Sequence, residues 1–261
     1  MSSDSTALLQ ARDDHGWRAG LPTLMGAGFA SWWRTKDWWT QALLWTVILN
    51  GSVAVAVWGD APDGVDVFTL FGVMTMFAAI AVAIIMQEAI VGEKRSGTAA
   101  WVLSKPASRE AFMLSKLVPN AVGVVATMIV IPSAVLLLQV SLAGIEVSIP
   151  RFALGALVAA LNLMFFLTLT LMLGTLFDSA GAVIAIPLAF AFGQQLFVGI
   201  PGLGSVLPWA LVVATGDSDT SVTSSVITGE PIAAPGALVF TCLACVVFTV
   251  VAFWKWNRTE L

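Results

Sequence analysis

Few residues in this chain can do chemistry, and their positions limit what that chemistry is. The single histidine, His15, lies in a polar N-terminal stretch of mixed charge. A Ser–His protease, a zinc protease or a histidine-ligated haem protein therefore cannot be assembled from this chain inside a bilayer. No GxxxxGK[ST] segment is present, so the chain cannot form its own P-loop nucleotide site. Cys242 and Cys245 share one face of an apolar run. They are either half of a metal or redox pair or two small residues packing in a helix, and without further ligands packing is favoured. Glu88 is the one acid within a long apolar run, one turn from its end. A charge at mid-bilayer costs about 3 kcal/mol, but at this depth Glu88 reaches the interface. Buried carboxylate relays of an ion-coupled transporter are absent from the pattern. An intramembrane enzyme would have to use Glu88 with Asn120 or Asn162, and no base–nucleophile pair is evident. No catalytic, cofactor or metal site is expected within the chain.

The charge that does exist gathers in QEAIVGEKRSGTAAWVLSKPASREAFMLSK, residues 87–116. Gly92 is expected to end an apolar helix, with Glu93, Lys94 and Arg95 at headgroup depth. Gly97 permits a sharp turn. Thr98 to Ser104 is long enough for one short helix, with Trp101 and Leu103 among its apolar members. Pro106 stops it, because the residue before proline avoids helical geometry. Ser108 is placed to cap the next helix, with Glu110 in its first turn. These residues read equally well as a short helix held along the membrane surface or as an ordinary basic loop.

The elements that position this loop follow from composition. The 261 residues are 58% hydrophobic and 11% charged, with mean hydropathy +0.91. A soluble domain has about 25% charged residues, so this chain cannot clothe a water-soluble surface. Its 11 Trp and 15 Phe, with no Tyr, suit the two interfacial belts of a membrane protein. A span needs about 20 apolar residues to cross about 30 Å of hydrocarbon. Six candidates qualify: 38–58, 67–91, 117–140, 152–177, 180–200 and 235–256. Residues 1–20 read as a cytoplasmic tail without signal-peptide features. Residues 21–37 read as an amphipathic helix lying in the interface, opened by Pro22. Residues 201–234 read as an external loop with re-entrant or interfacial helices. Pro119, Pro132 and Pro187 fall within spans and are expected to kink them. Eleven of the twelve Lys and Arg fall in alternate segments, and only Arg151 in the others. The positive-inside rule then places both termini and the 92–116 loop in the cytoplasm. Asn162, Gln194 and Gln195 are the polar residues in spans that either line a pathway or hydrogen-bond between helices, the latter being favoured.

The 92–116 segment resembles the signature region of membrane subunits of type-2 ATP-binding-cassette (ABC) transporters. The resemblance rests on Glu93-Lys94-Arg95, Gly97-Thr98, Val102-Leu103-Ser104, Pro106-Ala107-Ser108-Arg109 and Lys116. Ala99 and Ala100 stand where that family has bulkier residues, and Ser96 where an acid is frequent. The resemblance implies an all-α integral membrane fold: six transmembrane helices, an N-terminal interfacial helix and a short cytoplasmic coupling helix between spans two and three. It implies a permease in a prokaryotic plasma membrane, paired with a second permease subunit in a homo- or heterodimer, and acting in export. The partner would be two copies of a P-loop ATPase subunit, which bind the ATP and Mg; no nucleic acid is involved, and lipid surrounds the spans. Glu93, Lys94, Arg95, Gly97, Thr98, Trp101, Leu103, Pro106, Ser108 and Arg109 become the residues expected to meet the ATPase. A membrane scaffold or sensor without transport is the alternative.

Overall fold

Long apolar runs with almost no charge must satisfy their backbone groups internally, and in lipid the α-helix does this within a single segment. The computed structural model describes residues 16–59, 66–198, 200, 202–215, 220–232 and 234–259; the N-terminal tail up to residue 15 and the acids Asp60, Asp63, Asp217 and Asp219 lie outside them. Among the described residues no strand occurs. Among these same residues six helices are long and apolar enough to cross a membrane. We number the helices in chain order. Helix α1 is Leu21–Trp33, α2 Asp37–Trp58, α3 Val67–Arg95 and α4 Thr98–Leu103. Helix α5 is Arg109–Leu142, α6 Ile149–Leu176 and α7 Ala180–Phe197. Helices α8, Trp209–Val212, and α9, Val222–Thr228, are short, and α10 is Pro235–Asn257.

Side chains cap several starts, each accepting one of the orphan N–H groups of a first turn. Asp66 accepts from Phe68 N at 2.9 Å, Ser108 from Ala111 N at 2.9 Å, and Ser221 from Ser224 N at 3.2 Å. Helix α3 does not stop at Gly92. A π-helical turn over Glu88–Gly92 carries the chain through into Glu93–Arg95. A second π-turn, Val125–Val130, interrupts α5 just before Pro132. A proline has no N–H to return to the preceding turn, and the wider π-turn absorbs that missing bond.

Helix α6 is the axis of the bundle: 67% of its most apolar stretch is buried, against 17% for α10 and 22% for α7. The outer helices keep wide apolar faces outward, as lipid-facing helices do. Phe165 on α6 holds the centre. Its ring meets Phe190 of α7 at 5.3 Å and Phe248 of α10 at 5.4 Å. At the end away from the basic loop, α8 and α9 fold back against α3 and α6. Gly72 lets the α3 backbone approach α8, where a Cβ would stand 2.7 Å from the Val212 carbonyl oxygen. Asp66 pins α9, accepting from Ser224 Oγ at 2.5 Å and Thr69 Oγ1 at 2.6 Å.

Candidate functional site

The opposite, basic end of the bundle carries α4 and the loop around it. Gly97 precedes α4 with φ +73°, the left-handed region where a side chain is strained. Ala99 is the one fully buried residue of α4, seated below it. Val102 and Leu103 pack partly against the core. Gly97, Thr98, Trp101 and Pro106 face outward, and Trp101 is 62% exposed. The Lys105 ammonium sits 3.5 Å from the centre of its ring, a cation–π contact worth about 0.5–1 kcal/mol at such a surface.

The charged residues below this face are committed to neighbouring helices. Glu93 and Lys116 form an ion pair that ties the end of α3 to α5. Lys94 pairs with Asp178 at 2.5 Å and donates to the Gly174 carbonyl at 3.3 Å. Arg95 Nε donates to the Asp178 carbonyl at 3.1 Å. Lys94, by hydrogen bond and by charge, holds the Asp178 carboxyl below its ordinary range. Asp178 occupies the tight turn between α6 and α7. Its role was not read from the sequence, although a lone acid on the basic side of so short a turn is a signal for it.

Ser108 and Arg109 also bond inward. Ser108 Oγ donates to the Trp17 carbonyl at 2.6 Å, and Ser108 N to the Ala19 carbonyl at 2.9 Å. Arg109 Nη1 donates to the carbonyls of Trp256, Asn257 and Thr259 at 3.1, 3.1 and 2.6 Å. A guanidinium at a helix C-terminus meets both the orphan carbonyls and the negative end of the helix dipole. Asn257 donates to Glu110 at 2.9 Å, and Trp256 stacks on Phe112 at 5.1 Å. The ten loop residues thus divide into an outward face and a set of inward anchors reaching α5, α10 and the α6–α7 turn.

Helix α1 completes this end. It lies along α5, with Trp32 Nε1 donating to Asn120 Oδ1 at 2.9 Å. Gly123 makes room for the Trp32 ring, which a Cβ there would strike. Pro119 lacks the N–H that the Ser115 carbonyl would otherwise receive, and Gly28 of α1 packs onto that place. A Cβ on Gly28 would stand 2.8 Å from the Ser115 oxygen and 2.7 Å from Pro119 Cγ.

The three polar span residues do not converge. Asn162 is 1% exposed within α6. Gln194 is 2% exposed and accepts from Trp209 N at 3.0 Å, capping α8. Gln195 faces outward. Glu88 and Asn120 line one cavity at the basic end, and Asn162 is not among its walls.

The sequence matches the family described as "ABC-2 family transporter protein" over residues 7–261. A comparison with curated proteins finds no match. That match spans nearly the whole chain and meets a bundle of six span-length helices, so this multi-pass membrane protein belongs to the ABC-2 transporter family, as the permease component of an ABC transporter.

Proposed function

We propose that this chain couples ATP hydrolysis in a separate P-loop ATPase to the outward movement of a substrate. In this reading two ATPase copies hold Mg and ATP and dock on the outward face of α4, beside α1. Two permease subunits, identical or different, form the pathway in a prokaryotic plasma membrane. Both termini lie in the cytoplasm, which the one-sided distribution of Lys and Arg supports.

The observation that carries this reading is Trp101. A large indole, 62% exposed, stands on a short helix whose flanks are anchored to α5, to the α6–α7 turn and to the C-terminal end of α10. Exposed aromatic anchors on rigid supports are what protein interfaces use as hot spots. Force applied to α4 passes through Lys94, Glu93–Lys116 and Arg109 into α3, α5, α10 and the α6–α7 turn. Co-expression of the chain with its cognate P-loop ATPase tests the proposal. The wild type is expected to retain the ATPase through purification, and Trp101→Glu to lose it while still inserting and folding. Full capture together with full ATP-dependent transport in Trp101→Glu would refute the docking assignment.

A further inference from the structure

A cavity of about 630 Å³ lies at the basic end between α1, the start of α2, the end of α3 and α5. Small-molecule sites occupy roughly 300–1,000 Å³. Its wall on α3 runs from Ile84 to Glu93, a length of about 14 Å at the helical rise, and Ser96 just beyond the helix extends it. The space is therefore a slot that starts among interfacial polar groups and descends beside apolar ones. Ile84, Ile85, Ala89, Trp32 and Pro119 supply the apolar wall.

The charged groups that line it are Asp37 from α2, Glu88 and Glu93 from α3, and Lys116 from α5; α1 contributes none. Arg34 and Lys36, in the turn between α1 and α2, are exposed and are not among the walls. Lys116 is neutralised by Glu93. Asn120 is committed at both ends, accepting from Trp32 and donating to the Lys116 carbonyl at 2.7 Å. Among the described residues no donor reaches the Glu88 carboxylate. That carboxylate folds over Gly92, where any Cβ would collide with it. Glu88 also opens the π-turn of α3, a feature that re-aims side chains and recurs at binding sites.

We infer that this slot binds an amphiphile with an ammonium head. Glu88, with Asp37, takes the cationic head, and the Ile84–Ile85–Pro119 wall takes the first part of its apolar tail. An anionic head is disfavoured, because the lining leaves two carboxylates without a cationic partner in the slot. A lysine from a docked protein would meet the carboxylates but leave the Ile84–Ile85–Pro119 wall uncovered. Two sources share the chemistry: an ethanolamine phospholipid of the surrounding leaflet, or a free cationic amphiphile. The inference goes beyond the function proposed above and does not depend on it.

The test uses the full chain purified in a neutral detergent, without any ATPase, titrated with tetradecyltrimethylammonium. Saturable binding is expected, weakened about tenfold or more in Glu88→Gln by loss of one ion pair with the quaternary ammonium. Glu88→Asp is expected to keep most of the affinity, and tetradecyl sulfate to bind poorly. Equal affinity in wild type and Glu88→Gln, or equal binding of the sulfate, overturns the assignment. Should Glu88→Gln fail to fold, Asp37→Asn replaces it, and unchanged affinity there also overturns the assignment. Nanodiscs of phosphatidylglycerol, with or without phosphatidylethanolamine, then separate the sources. A titrant weakened by phosphatidylethanolamine identifies the lipid as occupant, and an unaffected titrant identifies a free amphiphile. Failure of ATPase capture leaves this titration unchanged, so the two proposals fail independently.

Discussion

The Arg109 guanidinium donates to the Thr259 carbonyl at 2.6 Å, and with the same nitrogen to Trp256 and Asn257. One side chain at the start of α5 thereby closes the C-terminal end of α10. Hydrogen bonds to charged groups contribute about 1.5–3 kcal/mol, reduced here by partial exposure. Arg109→Ala is expected to lower stability by about 1–2 kcal/mol and to speed amide exchange at residues 256–259. Arg109→Lys keeps the charge at the helix terminus but loses the planar fork, so it falls between. Wild-type melting and wild-type exchange in Arg109→Ala would show that the clamp contributes nothing.

Trp101 presents the reverse case. Its ring touches Lys105 and is otherwise mostly exposed. Surface substitutions away from caps and cores stay within about 0.5 kcal/mol, so Trp101→Ala should melt like the wild type. As an interface hot spot it carries about 2 kcal/mol or more, which is a roughly 30-fold loss of ATPase affinity. Arg109→Ala should weaken capture only as far as it loosens the fold. Measuring affinity and melting on the same preparations separates the two. A Trp101→Ala variant that loses stability and affinity together would instead make the residue structural.

The seat of α1 on α5 depends on Gly123, which makes room for the Trp32 ring. Adding side-chain volume to a filled contact costs about 1–3 kcal/mol. Gly123→Val is expected to fall in that range, and Trp32→Ala to lose the indole's burial and its bond to Asn120. The double variant should be more stable than the sum of the two losses predicts, because the clash and the lost ring occupy the same space. Strict additivity in thermal melting would mean that the two residues do not meet.

Much of this architecture is legible in the sequence because it rests on simple constraints. Apolar length and the one-sided Lys and Arg mark the spans; Pro106 and Ser108 mark where one helix ends and the next begins. Ser108 does cap α5, and Gly97 does adopt positive φ. What escaped detection depends on distant partners. The two π-turns leave no period in an apolar run, so α3 was expected to stop at Gly92. Gln194 reads as a polar residue in a span, yet its acceptor role is set by Trp209, fifteen residues on in a folded-back loop. Arg109 fits a loop motif, but its bonds go to backbone carbonyls that carry no sequence signature. The cavity beside Glu88 arises where α1, α2, α3 and α5 meet, which no single segment reveals.

The turn between α6 and α7 supplies a pH-dependent contact. Lys94 pairs with Asp178 and lowers its pKa from the ordinary 3.8. A carboxyl with a depressed folded-state pKa contributes stability that is fully present above its unfolded pKa. That contribution is lost as pH falls through the folded-state value. Asp178 is 86% exposed, so solvent screening keeps the pair below about 1 kcal/mol. At neutral pH Asp178→Asn should therefore melt close to wild type, with Lys94 still held by the Gly174 carbonyl. The difference should begin to shrink as pH falls past 3.8, and the two proteins should converge only below the depressed folded-state pKa, where the wild-type Asp178 also becomes neutral. High salt should shrink the difference at neutral pH. Melting curves from neutral to acid pH would refute the pairing if the two proteins kept a constant offset throughout, or if the variant were the more acid-sensitive.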